Sequence, residues 1–441
     1  MWPLLCYALA VCLAAPCIAL PPELHCLPAA GAPQLCRAER FALLPKQGVG
    51  EQAQDAWTTE NADDPDRRLL RAHYRPARPR DRKDGPAERV PDPLIAGYFG
   101  AISIAVAPRA AGVAACASLD LGGTPLVVLA RDWTGLWHFL TVQLLAAHRA
   151  LRALGLDPRR PFRLLFADRP GYATDRRNRL AEDWDALAGA PSLHMSALPP
   201  GGLCADDAVL GANAAGMDVV DLDAYAPEAP IAALRPAIRD FRAWVLSRLR
   251  VPPPALWAAR GAPGRTLTLT LVDRGRAAKR RLVDQEAVAA AARARGFSVR
   301  VVDFEPLRLR EQLEVLRSTD VLLGVHGGAL PLVMFLPRGA VGVEVLPFKQ
   351  HAGATHDFTF GYCNWARAAG AQHLVWHARS ASQVVQATFE GSAGPGDFKH
   401  HHVRLGAADA AALLDAAAAL FRAGPACPGA GQCVYANEPL F

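Results

Sequence analysis

Residues 320–348, DVLLGVHGGALPLVMFLPRGAVGVEVLPF, constrain this chain more than any other stretch. Two apolar runs, Val321 to Val325 and Ala340 to Leu346, read as strands covered on both faces, the habit of a parallel sheet. The first runs through Gly324-Val325-His326-Gly327-Gly328, where glycines let the backbone approach a ligand closely. Ala329 to Leu336 is expected to form a short helix opening near Pro331, a residue suited to a first helical position. Its unpaired N–H groups would face the end of the preceding strand, so an anionic ligand, and a nucleotide in particular, is the first expectation. Pro337-Arg338-Gly339 ends that helix. The second strand carries Glu344 where an apolar residue belongs, and a buried charge costs on the order of several kcal/mol unless paired. Two readings are open: Glu344 at the strand's end grips ligand hydroxyls, or it forms an ion pair with a nearby arginine.

The flanking sequence repeats the alternation of strand and helix. Thr266 to Val272 is expected to be a strand, Asp284 to Arg295 a helix, Ser298 to Asp303 a strand and Leu307 to Arg317 a helix. Such βαβ units build a doubly wound parallel sheet that binds ligands at its strands' carboxyl ends. Ala407 to Arg422 reads as a further helix returning over an earlier domain. Upstream, strands are expected at Tyr98 to Ala107, Pro125 to Ala130, Phe162 to Asp168, Ser192 to Leu198 and Ala208 to Gly211, with helices at Trp133 to Leu154 and Ile231 to Leu249. At 441 residues the chain is long enough for two such domains, with Val251-Pro252-Pro253-Pro254 as the boundary. The expected division is a leader over 1–20, a Pro/Arg-rich stalk over 21–90, an acceptor-side α/β domain over 91–250, and a nucleotide-sugar-binding α/β domain over 251–441.

The leader MWPLLCYALAVCLAAPCIAL is apolar and uncharged, which suits a secretory signal peptide or a short signal anchor. Either route leads to the lumen of the endoplasmic reticulum or Golgi. Three of the ten cysteines lie in the leader, leaving an odd seven, of which Cys26 with Cys36 and Cys427 with Cys433 are plausible local disulfides. The net charge of +6 is mild, and the arginines of residues 66–89 alternate with prolines and acids rather than aromatics, so nucleic acid is not an expected partner.

Cations gather at the end of the Thr266 to Val272 strand, in Val272-Asp273-Arg274-Gly275-Arg276 and Lys279-Arg280-Arg281. Guanidinium groups grip phosphate in a bidentate way, so Arg274 is the leading diphosphate ligand, with Lys279 or Arg280 second. His326, Gly327, Gly328 and Pro331 complete the expected donor-binding turn, His326 donating to phosphate or a sugar hydroxyl unless it only packs. His138, near the first turn of a helix, is the candidate base toward an acceptor hydroxyl, with a structural histidine as the alternative. His400-His401-His402 would point to alternate faces of a strand and could not share one ion. With no Asp-x-Asp in the second domain and no CxxC or HExxH, no metal site is expected.

These residues together resemble a known family. The run of Asp320, Gly324, His326, Gly327 and Leu330, then Phe335-Leu336-Pro337, Gly339, Glu344 and Pro347, preceded by Phe304-x-Pro306-Leu307 and Glu311-Gln312-Leu313, is similar to glycosyltransferase family 61. The resemblance extends from about Leu267 to Trp376. Members of that family include transferases of N-acetylglucosamine to secreted proteins and pentosyltransferases of plants and fungi. It implies a GT-B fold of two Rossmann-like domains facing across a cleft, and inverting, metal-independent transfer from a UDP-sugar donor. A protein Ser/Thr hydroxyl is the implied acceptor, with a polysaccharide or glycan as the alternative. Within it, His326, Glu344 and Arg274 match the glycine-flanked histidine, the ribose-contacting carboxylate and the arginine ending the first strand. His138 falls in a His-Phe-x-Asp position. Thr141 replaces that aspartate and Pro331 a polar residue, departures that also admit a catalytically degenerate lumenal nucleotide- or glycan-binding protein.

Overall fold

The computed structural model describes residues 24–27, 35–43, 119, 121–129, 136, 138–166, 181–194, 198, 203–210, 212, 228–255, 261–262, 264–275, 280–327, 329–347, 360–385, 401–424 and 433–435. The chain divides into two compact units: residues 1–132, 150–177 and 190–215, and residues 133–149, 178–189 and 216–441.

The first unit is built on a six-stranded sheet of β1 (Leu24–Leu27), β2 (Leu35–Leu43), β3 (Leu126–Leu129), β4 (Arg163–Phe166), β5 (Leu193–His194) and β6 (Leu203–Leu210), in the order β1-β2-β6-β3-β4-β5. β3, β4, β5 and β6 are parallel, and β2 runs against its neighbours. Its centre is fully apolar, with Leu126, Val127, Leu129, Leu164, Leu165 and Phe166 buried. Residues 24–27 and 35–43 correct the expected stalk. They are sheet strands, and Arg37 ties β2 to Asp207 of β6 at 2.7 Å. The register also sets Cys26 opposite Cys36, a spacing that a disulfide can bridge. The leader, the rest of the stalk, the expected strand at residues 98–107 and Cys427 lie outside the described residues. Among the described residues, no helix is long and apolar enough to cross a membrane.

The second unit begins with a π-helical segment, His138–Leu144, that runs into α1 (Leu145–Ala153), whose residues from 150 onward fall in the first unit; α2 (Ala181–Ala188) and α3 (Glu228–Arg248) follow. Then come β7 (Thr268–Asp273), α4 (Gln285–Ala294), β8 (Ser298–Asp303), α5 (Leu309–Leu316), β9 (Val321–Val325), a 3₁₀ helix at Leu330–Phe335 and β10 (Val341–Leu346). α6 (Phe360–Ala369), β11 (Gln372–His377), the small hairpin of β12 (Val384–Val385) and β13 (His402–Val403), α7 (Ala407–Ala423) and β14 (Cys433–Tyr435) complete it. The six-stranded sheet, ordered β14-β11-β10-β9-β7-β8, is parallel throughout. Side chains alternate across it. Leu269, Leu271, Val321, Leu323, Val341, Val343, Val345, Leu374 and Trp376 join one apolar core with Leu413, Leu414, Ala417 and Phe421 of α7 and Val288 and Ala292 of α4. Thus α7 covers the second sheet rather than returning over the first domain as the sequence suggested.

The opposite face is covered by the 3₁₀ helix and α6. A Cβ on Gly342 of β10 would sit 2.8 Å from Val333 Cγ1, so the absence of a side chain there lets the 3₁₀ helix lie directly on the strand. α3 clamps both elements. The half-buried Arg242 donates to Leu336 O and Ala369 O, each at 2.7 Å, satisfying carbonyls at the ends of two helices. Phe241 packs on Phe335 with ring centroids 6.0 Å apart, and Arg248 caps α2 through Leu187 O and Ala188 O, both at 2.7 Å. The sequence boundary near residue 250 is corrected by these contacts: α3, α2 and the π-helical segment belong to the second unit.

Arg242→Ala should cost about 2 to 3 kcal/mol, because it leaves two partly buried helix-end carbonyls without their donor, and Arg242→Lys should recover only part of it. Urea denaturation of the variants measures both. A second expectation concerns pH. Asp183 is 4% exposed and accepts the N–H of Leu309 at 3.1 Å, and burial pushes its carboxyl up to about 6 from the ordinary 3.8. A raised carboxyl pKa favours the protonated folded state, so stability from this group is full below about pH 4 and is lost as pH rises through 6. Asp183→Asn should therefore remove a loss on the order of 2 to 3 kcal/mol, seen as a flatter thermal-stability profile between pH 4 and 7.

Candidate functional site

The strand order β8-β7-β9-β10-β11 is the 2-1-3-4-5 order of a doubly wound sheet, in which the chain reverses direction of winding between β7 and β9. The crevice at the carboxyl ends of those two strands is where such sheets take ligands. Arg274 follows β7, and His326 and Gly327 follow β9.

The side chains meet there. An ideal Cβ on Gly327 would lie 2.6 Å from one Arg274 terminal nitrogen and 3.1 Å from one of Arg280, so both guanidinium groups rest over this residue. Gly327 has φ +149°, a conformation that side chains disfavour, and Arg280 is itself held at φ 59°. Burial lowers the pKa of Arg274, and the like charge of Arg280 lowers it further, partly offset by Glu305, Tyr362 and Asp303. Two cations drawn this close repel each other, and an anion between them removes the repulsion. Of the expected second cations, Arg280 takes part, while Lys279 and Gly328 lie outside the described residues.

Three expectations are corrected. The helix at Pro331 is a six-residue 3₁₀ turn, buried throughout, whose first amide already bonds Gly327 O at 3.0 Å. Its amides therefore bring little of the phosphate cradle that a longer α-helix would. Glu344 is neither at its strand's end nor paired with arginine. It is fourth of six residues in β10, has no exposure, and accepts the His326 Nδ1–H through Oε1. Its Oε2 lies 3.3 Å from Nε2 of His373 on β11, so two imidazoles enclose one carboxylate. Burial drives the Glu344 pKa up, but the hydrogen bonds and charge of His326 and His373 outweigh it and hold the group below the usual carboxylate range. Thr141 is buried in the π-helical segment, and His138 opens that segment, its side chain outside the described residues.

Sequence reasoning missed Tyr362 and His373. Tyr362 donates to Gly327 O at 3.1 Å and its ring lies 5.2 Å from that of His326. Burial, reinforced by the Glu344 charge, raises its pKa, so it stays a donor. His373 had a readable signal: a lone histidine in the apolar run LVW, preceded by glutamine, at the start of a buried strand. Cys363, next to Tyr362, is buried and disulfide-bonded, a bond the local pairings did not anticipate. His401 and His402 behave differently: His401 is buried, while His402 Nδ1 accepts the Arg281 N–H at 3.1 Å. Among the described residues no group of histidines, cysteines or acids could hold a metal ion.

Residues 219–343 match the family model described as Glycosyltransferase 61, from just before α3 to one residue short of Glu344. This bears out the resemblance read from the motifs. The EGF domain-specific O-linked N-acetylglucosamine transferase of Mus musculus is 28% identical over 170 residues, 38% of this chain and 27% of that protein. Its Drosophila melanogaster counterpart is 26% identical over 141 residues, 32% of this chain and 24% of that protein. A beta-1,2-xylosyltransferase of Oryza sativa subsp. japonica is 30% identical over 82 residues, 19% of this chain and 17% of that protein. The chain thus spans about a quarter of the length of the first of these relatives.

Gly327→Ala should leave the fold intact at a cost of about 1 to 2 kcal/mol from the disfavoured φ. By displacing both guanidinium tips it should also weaken pyrophosphate binding by about tenfold or more. Calorimetric titration with pyrophosphate, beside thermal melting, separates the two effects.

Proposed function

We propose, from a chain whose residues 219–343 carry the glycosyltransferase 61 match, that this protein is an inverting glycosyltransferase using a UDP-sugar donor. The observation that carries the reading is the convergence of Arg274 and Arg280 over Gly327 at the switch point between β7 and β9. In transfer, the acceptor hydroxyl oxygen bonds to the anomeric carbon as the bond from that carbon to the diphosphate oxygen breaks. Negative charge then grows on the departing UDP. Two guanidinium groups already held together over Gly327 meet that charge without rearrangement. The acceptor's proton passes to a base, for which His138 is the candidate.

The preferred donor in this reading is UDP-N-acetylglucosamine and the acceptor a serine or threonine hydroxyl of a secreted protein, supported by the names of the mouse and fly relatives. A secretory-pathway location and a GT-B arrangement are part of the same reading. A second reading, a xylosyl- or arabinosyltransferase acting on polysaccharide, draws on the rice relative. The arginine pair supplies the cationic charge at the diphosphate, so turnover is expected to proceed without a metal cofactor.

UDP release from a panel of UDP-sugars, with EDTA present, tests the proposal. Release from one donor that falls by at least about a hundredfold in Arg274→Ala supports it and names the sugar. Failure of the full chain to bind UDP at all would falsify it, and loss of turnover on adding EDTA would remove the metal-free step.

A further inference from the structure

Glu344 has been read above as a carboxylate matched to nucleotide ribose, but its surroundings assign it other work. It is wholly buried in the middle of β10, one oxygen hydrogen-bonded to His326 Nδ1 and the other 3.3 Å from His373 Nε2. His373 is itself fully buried, and its Nδ1 has no hydrogen-bond partner among the described residues. Glu344 has no exposure, whereas His326, which lies against it, is 12% exposed. The strand register explains the arrangement. Glu344 stands beside Gly324 of β9, and His373 beside Gly342 of β10, which sets the carboxylate and the His373 ring on one face of the sheet.

We propose that Glu344 is a positioning residue: it fixes His326 with the proton on Nδ1, so that Nε2 is the ring nitrogen presented to the diphosphate-binding crevice, while His373 keeps the carboxylate from turning away. An ionised carboxylate only accepts, so the Nδ1 atom it touches must carry the hydrogen, and the tautomer of the neutral ring follows. The same logic governs histidines oriented by a carboxylate in metal sites and hydrolases. The groups around His326 are Glu344 from β10, Tyr362 from α6 at 5.2 Å between rings, His373 from β11 across the carboxylate, and the Arg274 and Arg280 guanidinium groups over the adjacent Gly327. Glu344 is hydrogen-bonded to the His326 ring through Nδ1.

The ligand arm of this inference rests on the nucleotide reading above, and its test is arranged so that the two can fail separately. The first arm needs no ligand. In histidine-labelled full-length protein, the His326 nitrogens are assigned by their loss in His326→Gln, and long-range nitrogen–proton spectra give the neutral tautomer. Protonation at Nδ1 in the native chain, lost or mixed in Glu344→Gln, is the expected result; an Nε2–H tautomer in the native chain overturns the proposal. The second arm measures UDP and 2′-deoxy-UDP binding to Glu344→Gln, His326→Gln and the double variant. Glu344→Gln should weaken both nucleotides equally, by about tenfold, and the double variant should bind no worse than His326→Gln alone. If Glu344→Gln weakens UDP but spares 2′-deoxy-UDP, or if the two substitutions multiply, Glu344 touches the ribose and the proposal fails. Absence of UDP binding to the native chain sinks the nucleotide reading and leaves the first arm to decide this one.

Discussion

A sheet whose strands all run one way has no hairpins to close it, so every pair of neighbours is joined by a crossover and both faces must be covered. That constraint organises the second unit. α7 and α4 cover one face with leucine, alanine and phenylalanine, and the 3₁₀ helix and α6 cover the other. All six strands then end at one edge, and the two whose crossovers wind in opposite senses, β7 and β9, leave a crevice between them. Arg274, Arg280, His326 and Gly327 meet there because topology brings segments about 50 residues apart to one point.

Arginine is used in two opposite ways in this unit. Arg242 and Arg248 spend their donors on carbonyls at helix ends, where a planar group with several N–H bonds closes two or more acceptors at once. Arg274 and Arg280 instead face each other across a glycine, and burial makes the charge of Arg274 harder to keep. The first arrangement is complete in itself. The second holds two like charges close together over a glycine, and an anion between them removes their repulsion.

The sequence was most legible where local pattern and tertiary role coincide. β8, β9 and β10 lie within a residue of their expected bounds, because an apolar run between turn residues has few other fates in a parallel sheet. Arg274, Arg280 and Gly327 were legible for the same reason, lying next to strand ends. What was misplaced depends on partners far along the chain. The strands at 24–27 and 35–43 are short enough to pass for stalk, and their place in the sheet rests on the pairing of β2 with β6, some 170 residues away. The helix α3 follows the first set of strands in sequence, but Arg242 and Phe241 commit it to the second unit. Tyr362 was invisible because its role is a single hydrogen bond to a backbone carbonyl 35 residues earlier.

Glu344 shows the limit most clearly. A charge in an apolar strand announces that a partner exists without saying which, and ligand hydroxyls, arginine and histidine would all lower the cost of burying it. Arginine would have fixed the carboxylate as a structural ion pair, and a ligand would have required an open path to it. Histidine does neither. It shields the carboxylate from solvent, and through the second ring nitrogen it carries the consequence of that buried charge outward toward the crevice. The departure from an apolar strand is thus compensated on one side by His373 and used on the other through His326. A buried carboxylate beside a glycine-flanked histidine can therefore serve a ligand without touching it, by deciding which atom of its neighbour the ligand meets.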